Sequence, residues 1–126
     1  MPKNEFVCDC NAVNEELVKK VLDAMPDGDA LERLSAFYKI MGDATRCKML
    51  FALIQNEMCV CDLANVLSMS KSSISHQLNK MKERGVVKCR REGKEVYYSL
   101  DDAHVTKIFE IGFEHIDHIR RHKNEN

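Results

Sequence analysis

Residues 59–85 read CVCDLANVLSMSKSSISHQLNKMKERG, and this stretch contains two short helical patterns separated by a turn. The apolar residues of the first pattern recur at helical spacing: Val60, Leu63, Ala64 and Leu67. The second pattern covers residues 71–84, and its apolar residues fall on one side of a helix: Ile74, Leu78 and Met81. Ser70 is placed to cap the second helix and Gly85 to end it. The stretch therefore predicts a helix–turn–helix.

The other side of the second helix is rich in hydroxyl, amide and basic side chains. These residues are Lys71, Ser72, Ser73, Ser75, His76, Gln77 and Lys80. Such side chains suit contacts with base edges and phosphates in the major groove of DNA. Residues 71–94 hold eight Lys or Arg and two Glu, a net charge of +6, whereas the whole chain carries −1. A local basic surface on a nearly neutral protein indicates a polyanionic partner, although charge alone fits an ordinary solvated surface equally well.

Residues 86–100 alternate between apolar and polar side chains, which predicts two strands joined by a tight turn at Arg91-Glu92-Gly93-Lys94. A hairpin with a basic tip directly after such a helix is typical of the wing of a winged helix. We expect Arg90, Arg91 and Lys94 to reach phosphates or the minor groove.

Helical periodicity elsewhere predicts three helices before this region and one after it. They cover residues 14–25, 29–41, 44–55 and 102–121. Residues 1–13 have no periodicity and are predicted to form a flexible arm that carries two cysteines, so the predicted domain spans 14–122. The expected fold class is mainly α with a β-hairpin wing, a winged helix–turn–helix. A chain of 126 residues with 44% hydrophobic residues fits one such domain.

No apolar run reaches the roughly 20 residues that a membrane-spanning helix needs, and the polar start is unlike a signal peptide. We therefore expect a cytoplasmic protein with no membrane contact. In a reducing compartment its six cysteines are expected to bind metal or do redox chemistry rather than form disulfides. The chain has no P-loop, nucleotide fingerprint or Ser/His/Asp order, so neither an enzyme nor a small-molecule substrate is expected.

Two pairs of cysteines, each split by one residue, are candidate metal ligands: Cys8 and Cys10, and Cys59 and Cys61. Thiolate–metal bonds of about 2.3 Å bring neighbouring sulfurs within roughly 4 Å, but residues i and i+2 of a helix point roughly 200° apart. Cys59 and Cys61 can therefore chelate together only at an extended or frayed helix start. Further sulfur must come from elsewhere, and the arm cysteines are the free candidates. All-thiolate sites favour Cd(II), Pb(II), Zn(II) or trivalent arsenic.

Other functions of these thiols remain open. A fixed zinc site would only stabilise the fold, although structural sites more often use a C-x2-C spacing. A redox sensor would need an exposed thiol of low pKa, normally in C-x-x-C. A metal-buffering protein without a DNA partner would leave the basic surface unexplained. The remaining cysteines, Cys47 and Cys89, are predicted to pack as small apolar residues.

The last helix carries a second candidate metal site. His115 and His118 can share one ion, whereas His104 lies 11 residues before His115, about 16 Å along the helix axis. If this helix pairs antiparallel with its copy in a second chain, Asp102 and His104 of one chain meet the two histidines of the other. Three imidazoles and one carboxylate would make a tetrahedral zinc site, and a homodimer would hold two of them. The spacing fits a polar dimer seam without metal equally well.

The chain resembles the ArsR/SmtB metal-responsive repressors over residues 29–119. The motifs that carry the resemblance are Gly42-Asp43-Ala44-Thr45-Arg46, Met58-Cys59-Val60-Cys61-Asp62-Leu63-Ala64, Ser72-Ser73-Ile74-Ser75-His76-Gln77-Leu78 and Arg91-Glu92-Gly93-Lys94-Glu95-Val96-Tyr97-Tyr98-Ser99-Leu100. The cysteine-bearing N-terminal segment resembles the CadC branch of this family, which senses cadmium and lead.

The resemblance implies a winged-helix homodimer that binds operator DNA when metal-free and is released by Cd(II), Pb(II) or Zn(II). It implies that Cys59 and Cys61 bind metal with one or both of Cys8 and Cys10 of the other subunit. It further implies that Asp102, His104, His115 and His118 hold Zn(II) between subunits. The Cys8-Asp9-Cys10 spacing is tighter than in the CadC branch, which leaves open whether both sulfurs bind. Because arsenic sensors share a similar Cys-Val-Cys-Asp-Leu run, an arsenite-responsive repressor is the alternative, followed by a redox-sensing DNA-binding regulator.

Overall fold

The computed structural model describes residues 11–125, with side chains through residue 123, and divides the chain into two compact units between Arg33 and Leu34. The helices are α1 (Glu15–Ala24), α2 (Ala30–Met41), α3 (Ala44–Gln55), α4 (Val60–Leu67), α5 (Lys71–Glu83) and α6 (His104–Glu125). The strands are β1 (Met58–Cys59), β2 (Val87–Glu92) and β3 (Glu95–Leu100). None of the helices in the described part combines the length and apolar composition needed to cross a membrane.

The first unit contains α1 and the start of α2. Asn14 caps α1 by accepting a hydrogen bond from the Leu17 N–H at 3.0 Å, and the acidic Glu15 and Glu16 occupy its first turn. Both features stabilise a helix N-terminus, so the first predicted helix is confirmed. Its apolar side chains stay 43–63% exposed in the single chain: Leu17, Val18, Val21, Leu22 and Met25.

The second unit has its core where α3, α4, α5 and the sheet meet. Its largest fully buried side chains are Met49, Leu50, Leu63, Ile74, Leu78, Met81, Val86 and Val87. The three α5 residues among them are 0% exposed, as the periodicity predicts. Burial of one side of α5 fixes its orientation and leaves the opposite side facing solvent.

The turn between α4 and α5 follows the sequence prediction closely. Ser68 adopts the left-handed conformation (φ 53°), and the Met69 N–H donates to the Ala64 carbonyl at 3.0 Å. Ser70 caps α5 because its Oγ accepts the Ser73 N–H at 3.1 Å. The predicted helix–turn–helix is confirmed, with α5 ending one residue earlier than expected, at Glu83.

The sheet has three antiparallel strands in the order β1-β3-β2. The predicted hairpin is confirmed: β2 and β3 pair from Val87↔Leu100 to Glu92↔Glu95, with Gly93 in the turn at φ 63°. The sequence did not reveal β1, which pairs Cys59 with Tyr97 of β3. Through this strand, the segment ahead of α4 is hydrogen-bonded to the wing.

The last helix, α6, begins two residues later and ends four residues later than the predicted 102–121. Asp102 precedes it, and its Oδ1 accepts the His104 N–H at 2.8 Å, which stabilises the helix start. The apolar residues of α6 are buried only at its N-terminal end, at Val105. Further along the helix, the apolar side chains are 49–66% exposed: Ile111, Phe113, Ile116 and Ile119.

Replacing Ser70 with Ala should lower the free energy of unfolding by about 1 kcal/mol, because the Ser73 N–H loses its cap. Ser72→Ala is the matched control, since the Ser72 side chain is exposed and makes no hydrogen bond within the described residues; it should change stability by less than about 0.5 kcal/mol. Urea denaturation at one fixed protein concentration compares the two variants. Equal effects of the two substitutions would contradict the assigned cap.

Candidate nucleic-acid interface and metal sites

The free side of α5 presents the polar residues that the sequence singled out. Lys71, Ser72, His76 and Lys80 are exposed, whereas Ser73, Ser75 and Gln77 are half-buried. The Ser70 and Ser73 hydroxyl oxygens are 3.0 Å apart, so Ser73 takes part in the cap at the helix start. The free side of α5 therefore combines exposed lysines at both ends of the helix with hydroxyl and amide groups, the set that suits phosphate and base-edge contacts.

Arg46 belongs to this surface, although sequence reasoning did not assign it a role. Its Nη1 donates to Oε1 of Gln77 at 3.0 Å, and its Nε donates to the Ile40 carbonyl. Asp43, the N-cap of α3, accepts the Arg46 backbone N–H at 3.0 Å. Arg46 thus connects the α2–α3 junction to the polar face of α5. The Asp43-Ala44-Thr45-Arg46 motif was the only sequence signal for it.

The three basic residues of the wing differ in their surroundings. Arg91 and Lys94 are exposed, and neither has an ion-pair partner within the described residues. Arg90 pairs instead with Glu57 (Nη2–Oε1 2.7 Å) and Glu92 (Nη1–Oε2 2.8 Å). Its guanidinium also lies 4.9 Å from the centre of the Tyr97 ring. These partners largely offset the charge of Arg90, so less of it is available to phosphates than at Arg91.

The Glu57–Arg90 pair also shifts the titration of both groups. Hydrogen bonds from Arg90 lower the pKa of the Glu57 carboxyl. Hydrogen bonds to Glu57 and then to Glu92 raise the pKa of Arg90. Because Glu57 directly precedes β1 and Arg90 lies on β2, this ion pair joins the thiol-bearing strand to the far strand of the wing.

The thiols of Cys59 and Cys61 lie at the boundary between β1 and α4. Cys59 is extended (φ −84°, ψ 169°) and occupies the N-cap position, while Cys61 is in the first turn. Both line a cleft of about 350 Å³ whose other walls are Val60 and the Lys94-Glu95-Val96 segment of the wing. This is the extended helix start that two thiols one residue apart need in order to act together.

The two thiols differ in exposure and protonation. Cys61 is exposed, but Cys59 is only 8% exposed and its Sγ lies 3.3 Å from Oδ2 of Asp62. The backbone N–H of Asp62 lowers the pKa of the Cys59 thiol, whereas burial and the Asp62 carboxylate raise it, and the net shift is upward. A raised pKa is the opposite of what a reactive redox thiol requires.

No three His, Cys, Asp or Glu residues come together as a metal site within the described part of a single chain. Cys59 and Cys61 supply two soft donors beside an open cleft, which fits part of a thiolate site. The remaining donors must come from another segment or another chain. The predicted ligands Cys8 and Cys10 lie outside the described residues.

The residues of the predicted histidine site form two separate halves on α6. Asp102 Oδ2 lies 3.0 Å from Nδ1 of His104, which leaves Nε2 of that ring free to bind a metal. The His104 backbone N–H, followed by its imidazole, lowers the pKa of Asp102. In the other half, His115 and His118 line a shallow cleft with Glu114 and Asp117, two acids that the sequence analysis did not include.

The two halves do not meet within one chain, as expected from the spacing of His104 and His115. The ring of His118 instead lies 4.4 Å from that of His122, which continues the same helix face. Asp102, His104 and both histidines of the second half are exposed. They are therefore accessible to a second chain.

Comparison with known proteins agrees with this architecture. Residues 43–88 match the family model described as "Bacterial regulatory protein, arsR family". The chain is 36% identical over 110 residues to a transcriptional repressor SmtB homolog from Synechocystis sp., covering 87% of this chain and 83% of that protein. The chain belongs to the ArsR family. Its resemblance to this family, inferred from four motifs, is confirmed.

Two further relatives extend the comparison. A cadmium resistance transcriptional regulatory protein CadC homolog from Staphylococcus aureus is 36% identical over 110 residues, covering 86% of this chain and 90% of the relative. The homodimeric winged helix–turn–helix DNA-binding domain Mb0332 from Mycobacterium bovis superposes with a TM-score of 0.71 at 27% identity, covering 79% of this chain and 94% of that one. The predicted winged helix–turn–helix fold is confirmed. The ArsR family is one of transcriptional regulators rather than enzymes.

The contrast between Arg90 and Arg91 gives a test of the ArsR-type wing. Arg91→Ala should weaken binding to all DNA sequences alike and lower the slope of log affinity against log salt by about 0.9, the value for one phosphate contact. Arg90→Ala should change this slope less, because two carboxylates already offset its charge. Salt titrations followed by fluorescence anisotropy compare the two. A larger change of slope in Arg90→Ala would show that the ion pairs open on DNA.

Proposed function

We propose that this protein is a metal-responsive transcriptional repressor. It binds operator DNA when metal-free and is released when a soft metal ion binds the thiolates of Cys59 and Cys61. The observation that carries the proposal is the position of Cys59: it lies in a strand paired with the wing and immediately before the helix–turn–helix. The candidate thiolate ligand thus lies directly beside the two elements proposed to contact DNA, the wing and the helix–turn–helix.

The DNA-binding form is a homodimer in this proposal. The apolar faces of α1 and of the C-terminal half of α6 are exposed in the single chain, and exposed apolar surfaces of this kind mark interaction sites. The Mb0332 domain, which shares the fold, is described as homodimeric. A dimer presents two α5 helices to successive major grooves, and its operator is then a pseudo-palindrome.

Cys59 and Cys61 bind the inducing metal together with one or both of Cys8 and Cys10 from the other subunit. Thiolate donors favour Cd(II), Pb(II) or Zn(II), and a CadC homolog whose name records cadmium resistance is among the relatives. Trivalent arsenic is the alternative inducer, because arsenic sensors share a similar Cys-Val-Cys-Asp-Leu run; it needs only three thiolates, so the additional arm cysteines favour the other ions. A redox sensor is disfavoured, because neither cysteine pair has the C-x-x-C spacing that is usual for such thiols.

Two connections from Cys59 carry the response. Backbone pairing with Tyr97 and the adjacent Glu57–Arg90 ion pair lead to the wing. The start of α4 leads through the turn at Ser68 to α5. A shift of Cys59 towards distant donors displaces both elements from their DNA-binding positions. Metal and DNA then weaken each other's binding equally, typically by about 1–3 kcal/mol.

The α6 histidines form a second, inter-subunit site in this proposal. Asp102 and His104 of one chain face His115 and His118 of the other, and the free Nε2 of His104 suits Zn(II). The protein is cytoplasmic and is not an enzyme. Its partners are operator DNA and a second copy of itself.

Replacing either Cys59 or Cys61 with Ser should abolish the response to Cd(II) while leaving metal-free DNA affinity near that of the wild type. In the wild type, Cd(II) should lower operator affinity by about 5- to 150-fold. Gel shifts on the promoter DNA of the protein's own gene, with and without Cd(II), Pb(II), Zn(II) and arsenite, measure this and identify the inducer. Cys89→Ser is the control, because Cys89 lies on β2 and does not line the thiol cleft. A fully inducible Cys61→Ser variant would show that the site is misassigned.

Mixed dimers test whether the histidine site is shared between chains. In a Cys59→Ser, Cys61→Ser background, His104→Ala and His115→Ala should each abolish zinc binding at both α6 sites of a homodimer. A mixed dimer of the two variants keeps one intact set of ligands, so it should bind one zinc ion. Differently tagged chains, co-expressed and purified through both tags, give the mixed dimer, and zinc is counted with a chelating dye. A mixed dimer that binds no zinc at α6 contradicts sharing between chains.

A further inference from the structure

We propose that Arg46 fixes the orientation of the Gln77 amide, so that Gln77 presents its NH2 group to DNA and selects a hydrogen-bond acceptor on one operator base. Arg46 is then a positioning residue and Gln77 a specificity-determining one. This inference rests on the proposed function, because it requires that α5 enters the major groove.

The contact with Arg46 determines which end of the amide faces outward. An arginine side chain can only donate hydrogen bonds, so the Gln77 atom 3.0 Å from Nη1 must be the carbonyl oxygen. The opposite end of the amide is the NH2 group. The usual ambiguity between the oxygen and nitrogen of a glutamine is therefore resolved by the chemistry of its neighbour.

The NH2 group of Gln77 is available to a ligand. Its nitrogen makes no hydrogen bond within the described residues. In the half-buried and buried residues that the structure describes, every side-chain nitrogen or oxygen either has a hydrogen-bond partner or is reached by solvent. Gln77 is one of these half-buried residues, and its nitrogen has no partner, so this nitrogen is reached by solvent. Two N–H donors thus point away from Arg46 with nothing in the described chain to satisfy them.

Arg46 is itself held in place by hydrogen bonds to residues other than Gln77. Its Nε donates to the Ile40 carbonyl, and its backbone N–H donates to the Asp43 side chain. No acidic side chain pairs with its guanidinium within residues 11–123, so the planar group keeps two of its hydrogen bonds on Ile40 and Gln77. A guanidinium donates in a fixed fork, which the single ammonium of lysine cannot reproduce.

A fixed NH2 group discriminates among the edges of bases in the major groove. Guanine offers two acceptors, and adenine N7 and thymine O4 offer one each, whereas cytosine offers an N–H donor. Two donors facing each other repel, so cytosine should be rejected at this position. The two-bond contact of glutamine with adenine also needs the carbonyl oxygen to face the base, whereas here that oxygen faces Arg46. Guanine is therefore the preferred base.

Gln77→Glu provides the sharpest test, because it keeps an oxygen for Arg46 and removes both donors. A site is first selected with the metal-free wild-type protein from a randomised duplex pool, and affinities are then measured for every single-base-pair variant of it. Relative to the wild type, Gln77→Glu should shift the preference at one base pair by about tenfold, away from guanine and towards cytosine. Asn79→Asp is the control: it makes the same charge change on the exposed face of α5 without contacting Arg46, and should weaken all sequences alike.

Arg46→Lys tests the positioning role. It should flatten the preference at that same base pair, because the amide can then turn either end to the DNA. In a Gln77→Ala background, Arg46→Lys should have no further effect on this base preference. If Arg46 had only a structural role, Arg46→Lys would change the stability of the protein but not its preference at one base pair. Circular dichroism melting identifies a variant that fails to fold, in which case the Gln77 variants alone decide.

The outcomes separate this inference from the proposed function. If the wild type selects no DNA site, the proposed function fails. If it binds and responds to metal but Gln77→Glu weakens every sequence equally, the amide contacts a phosphate or nothing, and the inference alone is overturned. If the base preference changes in Gln77→Glu but not in Arg46→Lys, Gln77 reads the base without help and the role of Arg46 is refuted.

Discussion

The burial of one side of α5 is the constraint on which the rest of the structure depends. Ile74, Leu78 and Met81 are wholly inaccessible, so the helix cannot rotate about its axis without exposing apolar surface. Fully burying a side chain of this size is worth about 1.5–3 kcal/mol, which makes such a rotation costly. The polar face of α5 is consequently fixed relative to the wing, and the core determines the side of the helix from which each polar side chain projects.

The pairing of β1 with β3 then determines which parts of the protein can displace the polar face of α5. Only two residues long, β1 carries Cys59, follows Glu57 and directly precedes α4. Its hydrogen bonds to the wing and the Glu57–Arg90 ion pair mean that Cys59 cannot move alone. An exposed ion pair contributes little to stability, about 0–1 kcal/mol, so its importance here is geometric. The Glu57–Arg90 ion pair keeps the thiol segment in a fixed position relative to β2.

Sequence patterns predicted the elements that rest on local chemistry. The cap at Ser70 and the hairpin turn at Gly93 each follow from one or two residues and were located correctly. β1 was missed because two residues are too few to show alternation. The Glu57–Arg90 ion pair and the bond from Arg46 to Gln77 were missed because the partners lie 33 and 31 residues apart, a separation on which local periodicity carries no information. The thiol pair and the histidines were visible as residue types, but their spacing alone could not give their surroundings.

Neither candidate metal site is complete in the described part of a single chain, and the geometry explains why. Cys59 and Cys61 occupy one short segment, so they can supply at most two of the three or four sulfurs that a soft ion takes. Along α6, Asp102 and His104 are separated from His115 by three helical turns, and a rigid helix cannot bring its own ends together. Both sites therefore require donors from another segment or another chain. In the proposed dimer, metal binding at such sites would depend on how those segments are arranged, and it would therefore be coupled to the spacing of the two α5 helices.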